Sequence, residues 1–281
     1  MQVQTIKLPP PTEGRGRVGE GGNPWSQRAE RAAELAKRYP HAAEMLRLYQ
    51  ALIPVQERAF LEARSASLAV DDVAAWAVTN VMPSVIDATV SAGPAMLRDG
   101  VVKVFCSADL GTVVRRWLED ESLDPFERYL ARASASPVLE ASKFPSPRLQ
   151  GEGQGEGPST KCPACGGLPQ LSYFALSGEE LVTGPRYLLC SRCANSWVYS
   201  RMMCANCGES TGARLPIYQE QEQFPHVRVD GCRSCKRYLL TFDLRRDARA
   251  VPIVDELAAL PLDLYAIDRG LTKITPNLLG N

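Results

Sequence analysis

Eight cysteines carry the chemistry this sequence can do. They form four Cys-x-x-Cys pairs, Cys162–Cys165, Cys190–Cys193, Cys204–Cys207 and Cys232–Cys235, and 24 residues separate Cys165 from Cys190 just as they separate Cys207 from Cys232. Each cysteine of the first two pairs has a counterpart 42 residues later, so a small two-knuckle unit is repeated. Two thiolates spaced by two residues can grip one ion while the amides between them turn toward the sulfurs. Gly166 and Gly208, directly after the leading pairs, give the backbone access to positive φ. Two knuckles make a tetrahedral four-thiolate site, which suits iron or zinc. Consecutive use groups Cys162, Cys165, Cys190 and Cys193, then Cys204, Cys207, Cys232 and Cys235; interleaved use would draw on the same residues. The repeat favours the consecutive grouping, because a duplicated unit should carry a complete site. Such a closed site offers no position for a substrate water, so it is structural or electron-transferring and not hydrolytic. A thioredoxin-like pair is usually single, and disulfides belong to exported chains; neither accounts for a duplicated set of four pairs.

Little else is equipped for catalysis. His41 and His226 lie far apart and read as surface or core histidines, and no phosphate loop, nucleophile elbow or zinc-protease motif is present. The ninth cysteine, Cys106, ends the run VVKVFC and reads as a small buried hydrophobe. The chain is therefore expected not to be an enzyme. Its 281 residues hold 32 Lys and Arg against 32 Asp and Glu, and residues 161–281 hold 14 against 12. That balance argues against nucleic acid as a partner. No apolar run is expected to reach the roughly 18 residues of a membrane span, and MQVQTIKLPP lacks a secretory pattern, so a cytoplasmic protein without membrane insertion is expected.

The elements that would position the cysteines follow from composition. Gly-, Pro- and Glu-rich stretches at 9–24 and 145–160 cannot bury enough apolar surface to fold. They divide the chain into a disordered tail (1–23), an all-α domain (24–144), a flexible linker (145–160), two small metal-knuckle domains (161–203 and 204–247), and a C-terminal helix with a polar tail (248–281). Asn23-Pro24 opens the first helix. Ala42, Met45, Leu46, Tyr49, Leu52, Ile53 and Phe60 mark one helical face, with Pro54 a kink or break. Further helical patterns run over Val73–Val90 and Gly111–Leu118 and after Asp124-Pro125, indicating a bundle of five or six helices. Short aromatic and branched runs beside the cysteine pairs (171–176, 186–189, 197–199, 214–218, 226–229 and 238–242) read as strands. Tyr173, Phe174, Tyr187 and Trp197 read as knuckle cores. The fold class is thus multi-domain α+β, and the linker reads as a tether between two bodies.

CPACGG at 162–167, GPRYLLCSRCANSWVYSRMMCANCG at 184–208, CRSCKRYL at 232–239, VDELAALPLDLYAIDRG at 254–270 and Pro276-Asn277 occur in this order, and with them residues 161–281 resemble the FdhE family of formate dehydrogenase accessory proteins. The helical part, with FERYLARASASPVLEAS near its end, is similar in pattern only. The resemblance implies an all-α domain followed by two rubredoxin-like knuckle domains. It implies two iron ions, with zinc the alternative, on the eight cysteines named above. It also implies a chaperone-like maturation factor that binds the catalytic subunit of formate dehydrogenase before assembly or export. A rubredoxin-like electron carrier and a zinc-ribbon nucleic-acid binder are the competing functions.

Overall fold

The computed structural model describes residues 23–142, 159–176 and 184–280. All of the expected tail but Asn23, and nearly all of the expected linker, lie outside these residues. The described helices of the first half are α1 (Pro24–Arg38), α2 (Ala43–Ala66), α3 (Val73–Trp76), α4 (Met82–Ala92), α5 (Ala95–Ser107), α6 (Leu110–Leu118) and α7 (Pro125–Ala141). Asn23 caps α1, its side chain accepting from the Trp25 N–H at 3.0 Å, with Pro24 in the first turn. Asp124 and Glu127 form a capping box at the start of α7.

Three expectations about this half need correction. Pro54 does not break α2, which runs through it as one helix. Leu52, Ile53 and Gln56 around it are buried, and that packing outweighs one lost backbone bond. Cys106 is exposed, because the run that ends in it is the outer part of α5, a helix with only Val101 fully buried. Finally, Val70–Ala92 is a continuous apolar helical stretch of 23 residues, long enough to cross a membrane by length and composition. Its inward face of Val73, Ala77, Val81, Met82 and Val85 is packed into the helical core. A π-helical turn at Ala77–Val81 interrupts it just before Pro83, which has no N–H to continue the α-helical ladder.

The second half is one sheet. Its strands are β1 (Pro169–Phe174), β2 (Arg186–Cys190), β3 (Ser196–Tyr199), β4 (Ile217–Gln219), β5 (Val227–Gly231), β6 (Arg237–Asp243) and β7 (Thr272–Lys273). The order is β3-β2-β1-β6-β5-β4, with β7 beside the start of β6. Each repeat contributes an antiparallel trio, and the trios join head to tail where β1 runs parallel to β6. The seam carries a buried polar chain. Ser172 and Thr241 hydroxyls meet at 2.6 Å, Thr241 donates to Asp230 at 2.6 Å, and Arg186 reaches both Ser172 (3.0 Å) and Asp230 (3.2 Å). Arg186 and Arg228, the arginines that recur four residues before the trailing pairs, thus converge on one carboxylate, Asp230.

Helices α8 (Pro252–Ala258) and α9 (Leu260–Asp268) follow. The end of the chain is not a free polar tail: Leu271, Lys273, Ile274 and Asn277 are buried, and β7 adds to the sheet. Nor do the two halves stand apart. Both hydrophobic cores mix residues of helices and sheet. One joins Val114, Trp117 and Leu130 to Leu188, Trp197 and Tyr199; the other joins Trp25, Leu35, Tyr39 and Leu46 to Leu171, Val229, Phe242 and Leu257.

Candidate metal centres

Each knuckle is a tight turn closed by backbone hydrogen bonds. Cys162 N–H donates to Gly167 at 2.8 Å, Cys190 to Asn195 at 2.9 Å, Cys204 to Glu209 at 2.8 Å and Cys232 to Arg237 at 2.9 Å. The residue after each second cysteine is left-handed: Gly166 (φ 72°), Ala194 (53°), Gly208 (75°) and Lys236 (59°). Gly167 has a different reason to be glycine, since a Cβ there would lie 3.0 Å from the Cys190 Sγ.

These turns assemble two clusters in the consecutive grouping. Cys162, Cys165, Cys190 and Cys193 form one, and Cys204, Cys207, Cys232 and Cys235 the other; within each, every Sγ lies within 4.8 Å of the others. The pairs Cys162–Cys193 and Cys165–Cys190 are 3.7 and 3.4 Å apart, and Cys204–Cys235 and Cys207–Cys232 are 3.7 and 3.8 Å apart. A tetrahedron with metal–sulfur arms of about 2.3 Å has edges of about 3.8 Å, so the spacing suits a four-thiolate ion. None of the eight is in a disulfide. Backbone N–H groups of Arg192 and Asn206 point at Cys190 and Cys204 Sγ, each at 3.4 Å, as stabilised thiolates require. The thiols cannot lose protons independently: hydrogen bonding to Cys165 holds Cys162 below the ordinary thiol range, while bonding to Cys162 pushes Cys193 above it. In the second cluster burial pushes Cys204 up. Each set could hold one metal ion; the donor set does not separate iron from zinc.

The two clusters sit in unlike surroundings. The first lies under the helical half, with Cys162, Cys190 and Cys193 buried. Arg192, between its cysteines, is buried too; it pairs with Asp120 at 2.5 Å in the turn after α6 and donates to Trp117 O at 3.4 Å. The second faces outward, with Cys207 exposed and Cys235 half-buried.

A third group of potential ligands, His226, Asp247 and Asp255, is already filled. The Arg31 guanidinium from α1 reaches Asp255 at 2.5 Å and Asp247 at 2.8 Å, and His226 Nε2 lies 3.2 Å from Asp255. Burial opposes the charge on Asp247, but Arg31 prevails and holds its carboxyl below the ordinary value. His226 is thus a core histidine, while His41 is exposed with Nε2 2.9 Å from Ala258 O. Tyr173 and Trp197 do not fill separate knuckle cores but are buried in the cores shared with the helices, Phe174 is buried beneath the guanidinium groups of Arg201, Arg228 and Arg245, and Tyr187 stacks on Tyr173 with ring centres 5.3 Å apart.

With this geometry the comparisons can be placed. The model of the FdhE central domain matches residues 161–201, and that of the FdhE C-terminal domain matches 202–279. Residues 161–279 are thus similar in sequence to these two FdhE domains. Curated relatives named Protein FdhE homolog agree: that of Aquifex aeolicus is 34% identical over 119 residues, and that of Pseudomonas aeruginosa 39% over 123 residues. These stretches cover 42% and 43% of this chain and 41% and 39% of the relatives, so the match spans about two fifths of their length. A crystal structure of the FdhE protein from Pseudomonas aeruginosa superposes with a TM-score of 0.62 over 91% of this chain and 95% of that one, at 24% identity. That likeness is one of fold, and it takes in the helical half that the sequence matches do not reach.

Sequence reasoning located every clustered cysteine. It missed Arg31, Arg192 and the buried set of Arg132, Gln170, Glu256, Lys273 and Asp263 that ties α7, β1, α8, α9 and the chain end together. No local pattern marks such residues, since each partner lies far away in sequence.

Proposed function

We propose that the protein is an accessory maturation factor for formate dehydrogenase. It binds the catalytic subunit in the cytoplasm before assembly or export, and it holds two metal ions, iron in preference to zinc, on Cys162, Cys165, Cys190, Cys193, Cys204, Cys207, Cys232 and Cys235. The observation that carries this reading is the pair of preassembled four-thiol clusters within the two FdhE domains. Closed thiolate sites of this kind leave no vacant coordination position for hydrolysis, which suits a binding role better than a catalytic one. The test is deletion of the gene, with formate dehydrogenase activity and catalytic polypeptide measured in the same cells. Activity should vanish while the polypeptide persists, and return with the gene in trans; undiminished activity in a strain without a second copy defeats the reading. One observation favours electron transfer instead, the exposure of Cys207, and reversible metal-centred reduction at a physiological potential would support that reading.

A further inference from the structure

The surface around the second cluster differs from everything around the first. Residues 206–217 and 233–237, which carry Cys207 and Cys235 of that cluster, present Arg214, Arg233, Lys236 and Arg237 to solvent. The one acid within these two loops, Glu209, is turned inward. It accepts from the Ser234 hydroxyl at 2.5 Å and the Thr211 N–H at 2.9 Å, with its side chain 17% exposed beside an Arg214 that is 63% exposed. The loops are held together, so the cations share one rigid face: Arg233 N–H donates to Arg214 O at 2.8 Å, and Arg214 Nη1 to Ser234 Oγ at 3.4 Å. The same stretch of chain exposes two large apolar side chains. Ile217 is 55% exposed at the start of the edge strand β4, and Met202 is 62% exposed with its terminal methyl against Gly212.

Exposed apolar side chains and cations on the segments that carry a four-thiolate turn suit a protein-docking surface with selected charge. Duplex nucleic acid fits less well. It calls for cations following a line of phosphates, and a zero net charge supplies no general attraction to a polyanion. Isolated surface residues such as Met202 would mean little singly; here Met202 precedes and Ile217 follows, along the chain, the one solvent-exposed cysteine of either cluster.

We propose that this face is the contact for an acidic protein surface, and that the second cluster serves as its rigid base while the first stays internal to the protein. The proposal rests on the accessory-factor reading for the identity of that partner, the catalytic subunit. The binding energy comes from Met202 and Ile217, and the four cations set the approach and the partner's charge. The first cluster cannot share this task, because Arg192 and the turn after α6 cover it.

The test is capture of purified catalytic subunit by the full metal-loaded chain. Arg214→Glu, Arg233→Glu and Lys236→Glu are combined in one variant, with intact metal content and circular dichroism required of it. Arg98→Glu with Lys103→Glu on α5 is the remote control, and Arg214→Gln with Lys236→Gln is a gentler variant. Charge reversal at the second cluster should weaken capture at least about tenfold at low salt, the difference shrinking at high salt, while the α5 control binds as wild type. Equal capture by wild type and the reversed variant overturns the surface and leaves the accessory reading standing. No capture by wild type overturns both. Capture unaffected by reversal, together with loss of binding to a random DNA duplex in the reversed variant, assigns the cations to nucleic acid and overturns the proposal.

Discussion

The left-handed residue that follows every cysteine pair shows what a knuckle requires of its backbone. After the second cysteine the chain must fold back so that the next carbonyl accepts from the first cysteine's N–H, and a positive φ does this in one residue. Glycine does it without strain at Gly166 and Gly208, whereas Ala194 and Lys236 accept the cost. Nothing lies within 4 Å of a Cβ placed on Gly166, so Gly166→Ala should lose only conformational energy, about 1 kcal/mol, read by denaturation of the metal-loaded chain. Cysteine substitutions should divide by cluster. Cys162→Ser and Cys207→Ser are each expected to reduce bound metal from two ions to one. Cys162→Ser should lower the melting temperature of the whole protein, since its cluster is part of the core shared with the helices; Cys207→Ser should act mainly on its own loops. Metal analysis and thermal melts of the same samples decide this. The glycine-bearing knuckles are legible in the sequence. Ala194 and Lys236 are not, because no local signal marks a non-glycine residue for positive φ.

Elements were legible in proportion to how regularly their burial repeats. The strands beside the cysteines show as aromatic and branched runs, α2 as an apolar face, and α1 and α7 by their caps. Helix α5 has no such face, since only Val101 is fully buried, and so a pattern reading passes over it. Leu97, Val101 and Val104 pack it against the helical core, and Gly100 lets it approach the Phe126 ring of α7. A Cβ on Gly100 would fall 2.5 Å from the Phe126 ring, so Gly100→Ala must push α5 away from α7, at about 1–3 kcal/mol. Denaturant unfolding checks the value, and hydrogen exchange should place the loosening in α5. The parallel β1–β6 seam was equally hidden, because its register is set by Ser172, Thr241, Asp230 and Arg186, which meet only in the folded sheet. At the α1–α8 contact Arg31 lies between two carboxylates, and Arg31→Ala would leave Asp255 buried with its cation removed. The loss should be about 3–5 kcal/mol. The pH dependence has a definite sign. Because Asp247 is held below its ordinary value near 3.8, its share of the stability is present above that pH and fades as pH falls through the lower folded value. Wild type and Asp247→Asn should therefore differ at neutral pH and converge in acid, which equilibrium unfolding across the range would show.

At the scale of the whole molecule, the composition of 145–160 suggested two bodies on a tether, and the packing corrects that picture. Composition reports how a segment fares alone, whereas the union of the halves depends on residues that look like ordinary core or surface positions in each. Trp25, Leu35 and Tyr39 of α1 and its flank share a core with Leu171, Val229 and Phe242 of the sheet. Tyr39 stacks on Phe224 with ring centres 4.9 Å apart and donates to Gln223 O at 2.7 Å. Arg132 in α7 reaches Gln170 Oε1 and Pro276 O, each at 2.6 Å. Such an interface is apolar at its centre and fixed by buried charge, so separating the halves would expose both core and unpaired ions. Cutting the chain between residues 150 and 158 should therefore leave the halves bound as one particle, with little change in melting temperature or metal content. Size-exclusion chromatography of the nicked protein reads this directly, in native buffer and again in denaturant. Two separate folded peaks in native buffer would restore the tethered arrangement. A single peak that splits only as the protein unfolds would establish that helices and knuckles form one body, with the first cluster buried within it and the second at its surface.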